Sequence, residues 1–157
     1  MRGVKDMKLQ KVLFPTDGSP SADAAVETVQ SYLELMPDIK VTVLYVTSKS
    51  LYAYDFVPDV VDEYEAKLSR EIQTKVEATW FSNWSNRVEF IHLTGLPVQA
   101  ICDYAQDNKV DLIIMGSHGR GAFDRMILGS VSQGVLHRSP VSVLVARGSA
   151  TKAKSSS

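Results

Sequence analysis

Short runs rich in β-branched and aliphatic residues recur along the chain, and longer stretches with apolar residues at every third or fourth position separate them. The runs occupy residues 11–15, 41–46, 88–93, 112–115 and 141–146. Strand patterns that alternate with helix patterns are typical of a parallel sheet, because each parallel connection needs a crossover element. The hydrophobic pattern therefore predicts a single α/β domain with an open five-stranded parallel sheet.

Two of these runs, 12–14 and 112–115, are apolar at every position instead of at alternate positions. Continuous apolar strands are typical of the centre of a parallel sheet, where helices cover both faces. We therefore expect helices on both faces of the sheet, and we expect the first and fourth strands to be neighbours.

The stretches between the runs contain helix start and stop signals. A first helix is expected over 20–36, with Ser19 as its N-cap and a proline at its first position. An apolar stripe that includes Val60 and Tyr64 predicts a longer second helix over about 58–81.

A third helix is expected to begin at Pro97. Ser130 and Gln133 have the spacing of a capping box, which predicts the start of a fourth helix. The residues of this helix that we expect to face inward are Val131, Val135 and Leu136.

No linker, repeat or composition shift divides the chain. One domain over 10–147 is therefore expected, preceded by a flexible N-terminus over 1–9. The tail, 148–157, has small and polar residues and no large apolar ones, so we expect it to be disordered. The aromatic-rich connection 47–56 either forms a lid or an interface or packs across the sheet edge.

The charges of the chain are nearly balanced, with 17 Lys and Arg against 18 Asp and Glu. A net charge of −1 creates no general positive field for nucleic acid. The apolar runs are far shorter than the roughly 18–20 residues needed to cross a bilayer. The first residues also lack the apolar core of a signal peptide. We therefore expect a cytoplasmic protein that binds neither nucleic acid nor membranes.

Cys102 is the single cysteine of the chain, so neither an internal disulfide nor a cysteine-based metal site is available. It lies near Ile101 and Ala105 in an apolar helical pattern. This position favours a small core residue over a reactive thiol.

The candidate site lies at one end of the predicted sheet. In an open parallel sheet, ligands bind beyond the carboxyl ends of the strands, where the chain order reverses. The segments expected there are 15–19, Val46 and 116–121. Asp17 in the first segment is either a turn residue or an acceptor for an amine or hydroxyl group of a ligand.

Three glycines follow the fourth strand with the spacing Gly-x2-Gly-x9-Gly-Ser, which runs from Gly116 through Gly119 to Gly129 and Ser130. Glycines let a backbone approach a ligand closely, and the N–H groups at a helix start attract phosphate oxygens. The side chains available to add hydrogen bonds or charge are Ser130, Ser132, Arg120 and Arg125. The segment therefore either binds phosphate or only forms the turn into the fourth helix.

Other nucleotide and phosphorylation motifs are excluded by specific absences. The chain contains no Gly-Lys-Ser/Thr of a P-loop, and no G-x-G-x-x-G follows the first strand. A response-regulator site also fails, because the first strand supplies only Asp17 instead of an acidic pair, and the fifth strand is not followed by a lysine.

Three features together resemble the universal stress proteins, in the branch that binds ATP. They are PTDGS at 15–19, VDLIIMGSHG at 110–119 and the glycine spacing that follows. The resemblance covers roughly residues 10–147. It implies a Rossmann-like fold of the adenine nucleotide alpha hydrolase type, with the strand order 3-2-1-4-5.

The resemblance also implies an ATP site at the candidate end of the sheet. Asp17 and the backbone of Val46 would surround adenine, with Pro15 and Thr16 lining the same pocket. The residues implied for the ribose are Met115 and Gly116. The residues implied for the phosphate segment are Ser117, His118, Gly119, Arg120, Gly129, Ser130, Val131 and Ser132. Mg²⁺ would be held mainly through phosphate oxygens and water.

For activity, the resemblance implies a nucleotide-responsive regulatory protein in the stress response. Two alternatives stay open: a slow ATP phosphohydrolase or self-phosphorylating enzyme at the same site, and a dimeric scaffold without nucleotide. No residue is assigned a catalytic role, because no general base, arginine finger or metal-holding carboxylate pair stands out near the glycine segment.

The fifth strand, 141–146, is expected at the sheet edge, where unpaired backbone groups invite another chain. Val141, Val143 and Val145 alternate with Ser142, as one buried strand face requires. The resemblance implies a symmetric homodimer through this strand, together with a regulatory protein partner that the sequence does not identify.

Overall fold

Parallel strands form one sheet in the order β3-β2-β1-β4-β5 in the computed structural model, which describes residues 8–48, 58–117 and 128–148. The strands are β1 Lys11–Pro15, β2 Lys40–Ser48, β3 Val88–Gly95, β4 Leu112–Gly116 and β5 Ser142–Ala146. Each neighbouring pair is parallel. The predicted strand order is confirmed, and so is the predicted contact between the first and fourth strands.

Helices connect the strands in the described part of the chain. They are α1 Asp23–Leu35, α2 Pro58–Lys75, α3 Pro97–Asp107 and α4 Ser130–Arg138. A 3-10 turn over Pro20–Ala22 leads into α1, and a π-helical turn over Val76–Trp80 extends α2. Ser19 is the N-cap of the 3-10 turn, but its hydroxyl bonds to the Ser21 hydroxyl at 2.8 Å and makes no capping bond to the backbone.

Helices cover both faces of the sheet, because neighbouring side chains of a strand point to opposite faces. Phe14 lies on the face covered by α1 and α2, where it is buried with Ile72. Leu13 lies on the opposite face, where it is buried with Ile101 of α3 and Val135 of α4. Each of these side chains is at most 2% exposed. Burying one such side chain contributes about 1.5–3 kcal/mol.

The apolar stripe correctly predicts the second helix, but the first half of the stripe faces away from the core. Val60 and Tyr64 are 63% and 60% exposed, whereas Glu65 and Ser69 are buried. The Tyr45 hydroxyl of β2 donates a 2.6 Å hydrogen bond to the Glu65 carboxylate. In the first half of α2, the buried face therefore contacts β2 through polar side chains, although the apolar stripe predicts hydrophobic contacts.

The capping-box prediction for α4 is wrong. Gly129 occupies the N-cap and Ser130 is the first helical residue, and no side chain caps this end. The N-cap lies one residue earlier than predicted, so Gln133 is not in the position that closes a capping box. Its side-chain amide instead donates to the Leu128 carbonyl at 2.8 Å. The helix nevertheless begins within one residue of the predicted position.

One inward-facing residue of α4 is also predicted wrongly. Val131 and Val135 pack against the cluster on the α3 and α4 face, but Leu136 is 42% exposed. Successive residues of an α-helix are rotated by about 100°, so the residue after an inward-facing one points aside. Cys102 is buried, as predicted for a small core residue.

Residues 1–7, 49–57, 118–127 and 149–157 lie outside the described residues. The predicted flexible N-terminus, disordered tail and aromatic connection fall largely on these ranges. The first two residues of that connection extend β2. No helix in the described ranges is long and apolar enough to cross a membrane.

Candidate functional site

A pocket opens at the carboxyl ends of β1, β2 and β4, where the chain order of the sheet reverses between β1 and β4. Ligands of open parallel sheets bind at such switch points. The cavity measures about 140 Å³. The predicted site residues that line it are Pro15, Thr16, Asp17, Val46, Met115, Gly116, Val131 and Ser132. The fold thus brings residues from three strands together with the first turn of α4.

Four lining residues escape the sequence prediction: Ala22, Leu44, Pro97 and Ile101. Leu44 lies two positions before Val46 on β2, so both side chains point to the same face of the sheet. Pro97 and Ile101 are one helical turn apart at the start of α3. The strand period of two is the signal that identifies Leu44, and the helix spacing of four is the signal that links Pro97 with Ile101.

The turn after β1 is held by short-range hydrogen bonds. The Thr16 N–H donates to the Leu44 carbonyl at 2.9 Å, and the Gly18 N–H donates to Thr16 Oγ1 at 3.1 Å. Asp17 Oδ1 accepts a 2.9 Å hydrogen bond from the Ser19 N–H. Asp17 therefore serves as a turn residue, one of its two interpretations, and it also lines the pocket.

The two ends of the glycine segment are joined before α4 begins. The Gly129 N–H donates to the Ser117 carbonyl at 2.8 Å, and the Ser132 hydroxyl donates to the Gly116 carbonyl at 2.9 Å. Because a hydroxyl has one proton, Ser132 does not also donate to a ligand in this arrangement. Among the described residues, the donors that remain in the first turn of α4 are the N–H groups of Ser130, Val131 and Ser132, which have no intrahelical partner. The Gln133 N–H already donates to the Gly129 carbonyl at 2.9 Å.

The other residues predicted for the phosphate segment do not line the cavity. Ser130 is exposed at the first position of α4, Gly129 is half-buried, and Ser117 is buried directly after β4. His118, Gly119 and Arg120 lie outside the described residues.

The pocket combines apolar walls with one polar edge. Its walls are formed by Leu44, Val46, Ile101 and Met115. Thr16 and Asp17 supply the polar edge. The cavity is smaller than the roughly 300–1,000 Å³ of complete small-molecule sites. The described residues therefore form a cavity that is large enough for only part of a typical small-molecule ligand.

The described part of this end combines the Asp17 carboxylate with the backbone dipole of α4. None of the described lining residues is a lysine, arginine or histidine. The N-terminus of α4 carries the positive end of the helix dipole, which attracts anions. Within the described ranges, no three His, Cys, Asp or Glu side chains converge to hold a metal ion.

Two solved structures with adenine nucleotides share the fold of this chain. One is a protein of the universal stress protein family from Arabidopsis thaliana, solved with AMP bound. It has a TM-score of 0.58 and 19% identity, and the match covers 93% of this chain and 97% of that chain. A universal stress protein solved in complex with cAMP has a TM-score of 0.63 and 23% identity, with 90% and 98% covered.

A stronger similarity links the chain to MJ0577 of Methanocaldococcus jannaschii, a universal stress protein. The two sequences are 28% identical over 153 residues, which cover 88% of this chain and 94% of the relative. The solved structure of MJ0577 has a TM-score of 0.78 at 30% identity and covers 91% of this chain and 99% of that chain. The model of the Universal stress protein family matches residues 8–147. The chain therefore belongs to the universal stress protein family.

Proposed function

We propose that this protein binds an adenine nucleotide, with ATP as the principal ligand, and acts as a nucleotide-responsive regulatory protein in the stress response. The observation that carries the proposal is the position of the apolar pocket beside the first turn of α4. Apolar walls suit a planar base, and a helix N-terminus suits phosphate. AMP and cAMP are bound by two proteins that share this fold, which supports an adenine nucleotide.

In the proposed arrangement, adenine lies between the apolar walls near Leu44 and Val46. Asp17 at the polar edge accepts a hydrogen bond from the adenine amino group. The ribose lies beside Met115 and Gly116 at the end of β4. This placement uses the lining residues of the cavity and leaves the phosphates directed toward α4.

The phosphates are proposed to accept hydrogen bonds from the N–H groups of Val131 and its neighbours in the first turn of α4. We also propose that His118, Gly119 and Arg120 contribute to phosphate binding. Phosphate oxygens and water would hold Mg²⁺. Nucleotide occupancy, with at most slow hydrolysis, is the proposed signal.

The proposed functional unit is a cytoplasmic homodimer that acts on a regulatory protein partner. Within the described sheet, β5 is an edge strand that pairs with β4. Val143 and Val145 turn toward the cluster on the α3 and α4 face. The backbone edge of β5 is therefore the surface that we propose for antiparallel pairing with a second copy.

Isothermal titration calorimetry with Mg-ATP tests the nucleotide proposal. Val46→Phe places a larger side chain in the cavity, so we expect the affinity for ATP to fall about tenfold or more, which corresponds to about 1.4 kcal/mol. Val60→Phe is the matched control, because it makes the same change at a position that is 63% exposed on α2.

The control variant is expected to bind ATP like the unmodified protein. The proposal fails if ATP produces no binding heat, or if Val46→Phe binds ATP as tightly as the unmodified chain does. Circular dichroism of both variants confirms that each keeps the helix content of the parent.

A further inference from the structure

A second, polar cavity lies between α2 and the carboxyl halves of β2 and β3. It measures about 370 Å³, within the range of small-molecule sites. Its polar lining consists of Thr47, Asp62, Glu65, Ser69, His92 and Thr94. Val46 faces the nucleotide pocket and Thr47 faces this cavity, because neighbouring residues of a strand point to opposite faces. The two cavities therefore lie back to back across β2.

The Glu65 carboxylate is the central group of this cavity. It is 5% exposed, and its Oε2 accepts hydrogen bonds from the Tyr45 hydroxyl at 2.6 Å and the Thr47 hydroxyl at 3.1 Å. No lysine or arginine in the described ranges forms an ion pair with it. A buried carboxylate without a cationic partner is costly, because it has lost the stabilisation of its charge by water.

The hydrogen bonds around Thr47 have a defined direction. The Thr47 hydroxyl has one proton, which it donates to Glu65. The 2.7 Å contact between Thr47 Oγ1 and His92 Nε2 must therefore be donated by the imidazole. In the neutral ring, this leaves His92 Nδ1 as an acceptor. The ring is also stacked on Tyr45, with 5.1 Å between the centroids.

Two polar groups of the cavity are buried without a partner in the described structure. Ser69 is 8% exposed, and its hydroxyl makes no hydrogen bond to any described residue. Both hydrogen bonds to the Glu65 carboxylate go to Oε2, so Oε1 accepts none from the described residues. Glu65 and Ser69 are one helical turn apart and lie on the same face of α2. Buried polar groups are nearly always hydrogen-bonded, so this pair calls for a ligand.

The chemistry of the lining selects the class of ligand. The lining contains two carboxylate side chains, Asp62 and Glu65, and no lysine or arginine. Its one basic group is His92, whose pKa is lowered by burial. A bare metal ion is disfavoured, because no three His, Cys, Asp or Glu side chains of the described ranges converge on one point. An ammonium group offers a positive charge together with several N–H donors.

We propose that this cavity binds a small molecule with a primary ammonium group, which donates hydrogen bonds to Glu65 Oε1 and to the Ser69 hydroxyl. The ammonium group supplies the positive charge that the buried carboxylate lacks. The site is distinct from the proposed nucleotide pocket and uses the opposite face of β2.

Titration calorimetry with putrescine, a short aliphatic diamine, tests this proposal on the full chain. The uncharged diol of the same carbon length is the control ligand. We expect putrescine to bind and the diol to give no binding heat. Glu65→Gln removes the charge at nearly constant shape, and it is expected to weaken putrescine binding about tenfold or more.

Glu63→Gln is the matched control variant, since it removes an exposed carboxylate from the same helix. It is expected to leave putrescine binding unchanged. Ser69→Ala provides a second test that preserves the charge, and we expect a smaller but measurable loss of affinity. Circular dichroism checks that each variant is folded.

The proposal is overturned if putrescine does not bind, or if the diol binds equally well. It is also overturned if Glu65→Gln and Ser69→Ala, both folded, bind putrescine as tightly as the unmodified protein. ATP titrations of the same variants address the other pocket, so the two proposals fail or succeed separately.

Discussion

Gly18 lies against Ile72: a methyl group at Gly18 would be 2.8 Å from Ile72 Cγ1. Gly18 also has a φ of +76°, in the left-handed region that glycine adopts most readily. The turn that holds Asp17 at the pocket edge therefore rests directly on α2. This contact connects the proposed nucleotide site with the helix that lines the second cavity.

Gly18→Ala is expected to destabilise the protein. The left-handed backbone alone costs an alanine about 1–2 kcal/mol, and the contact with Ile72 adds to this cost. The free energy of unfolding, measured by urea denaturation, provides the test. Gly148→Ala is the control, because a methyl group there would meet nothing within 4 Å.

A double-mutant cycle separates the two causes. In an Ile72→Ala background the side-chain contact is removed, so Gly18→Ala is expected to cost less than it does in the parent. An equal cost in both backgrounds would show that the contact with Ile72 contributes nothing.

Arg87 caps the end of α1 from the turn before β3. Its guanidinium donates to the carbonyls of Leu33 at 2.8 Å, Met36 at 3.0 Å and Pro37 at 2.9 Å. The last turn of α1 contains no basic residue of its own. We expect Arg87→Met to lower the free energy of unfolding by about 1–3 kcal/mol, because a charged donor to several helix-end carbonyls is lost.

Urea denaturation measures this loss against Arg70→Met, which makes the same change at an exposed position of α2. The control is expected to have little effect on stability. If both variants have the same free energy of unfolding, the cap at α1 is not stabilising.

The parallel sheet and the contact between its first and fourth strands could be predicted from strong local signals, whereas the full strand order is implied only by the resemblance to the universal stress proteins. The continuous apolar runs at 12–14 and 112–115 identify the central strands, and the alternation of strands and helices identifies a parallel sheet. Part of the apolar wall of the pocket also has a signal in the sequence, although Leu44 and Ile101 are not among the predicted site residues. Residues such as Leu44 and Ile101 repeat the period of their elements.

The polar network around Glu65 could not be predicted, because it depends on pairings that the sequence does not contain. Tyr45 and His92 are 47 positions apart in the chain and become neighbours through the register of β2 and β3. Glu65 then joins them from α2, where the apolar stripe favours Val60 and Tyr64 as the inward residues. Hydrogen bonding of this kind leaves no periodic signal in the sequence.

Stability is expected to depend on pH through His92. Burial lowers the pKa of His92 from 6.5, and the negative charge of Glu65 only partly opposes this effect. Tyr45 and Thr47 also contact the ring. Near and below pH 6.5 the unfolded chain therefore binds more protons at this residue than the folded chain. The stability contribution is complete above pH 6.5 and decreases as the pH falls through that value.

His92→Gln is expected to remove this part of the pH dependence, since glutamine keeps an N–H donor but does not titrate. Urea denaturation between about pH 8 and about pH 5 compares the variant with the parent. His137→Gln, at an exposed position of α4, is the control. Parallel stability curves for the parent and His92→Gln would contradict the expected role of this histidine.

Cys102 is expected to react slowly with thiol reagents in the folded protein. Burial raises the pKa of its thiol, the Asp103 carboxylate raises it further, and the Arg138 charge only partly opposes them. The thiolate is the reactive form, so little of it is present at neutral pH. Reaction with an aromatic disulfide reagent, followed by absorbance, is expected to be much faster in denaturant. Equal rates in the folded and unfolded protein would contradict this prediction.

The proposed dimer forms through the backbone edge of β5. Ser142 is exposed at the start of this strand, and two copies paired antiparallel would bring the two edges together. Ser142→Lys places like charges on both edges, so we expect it to weaken pairing. Light scattering during size-exclusion chromatography is expected to give twice the 17.3 kDa chain mass for the parent and a value closer to a single chain for the variant. Ser85→Lys, exposed before β3, is the control and is expected to remain dimeric. A parent protein that elutes with the mass of a single chain would exclude the dimer. A Ser142→Lys variant that stays fully dimeric would place the dimer contact elsewhere.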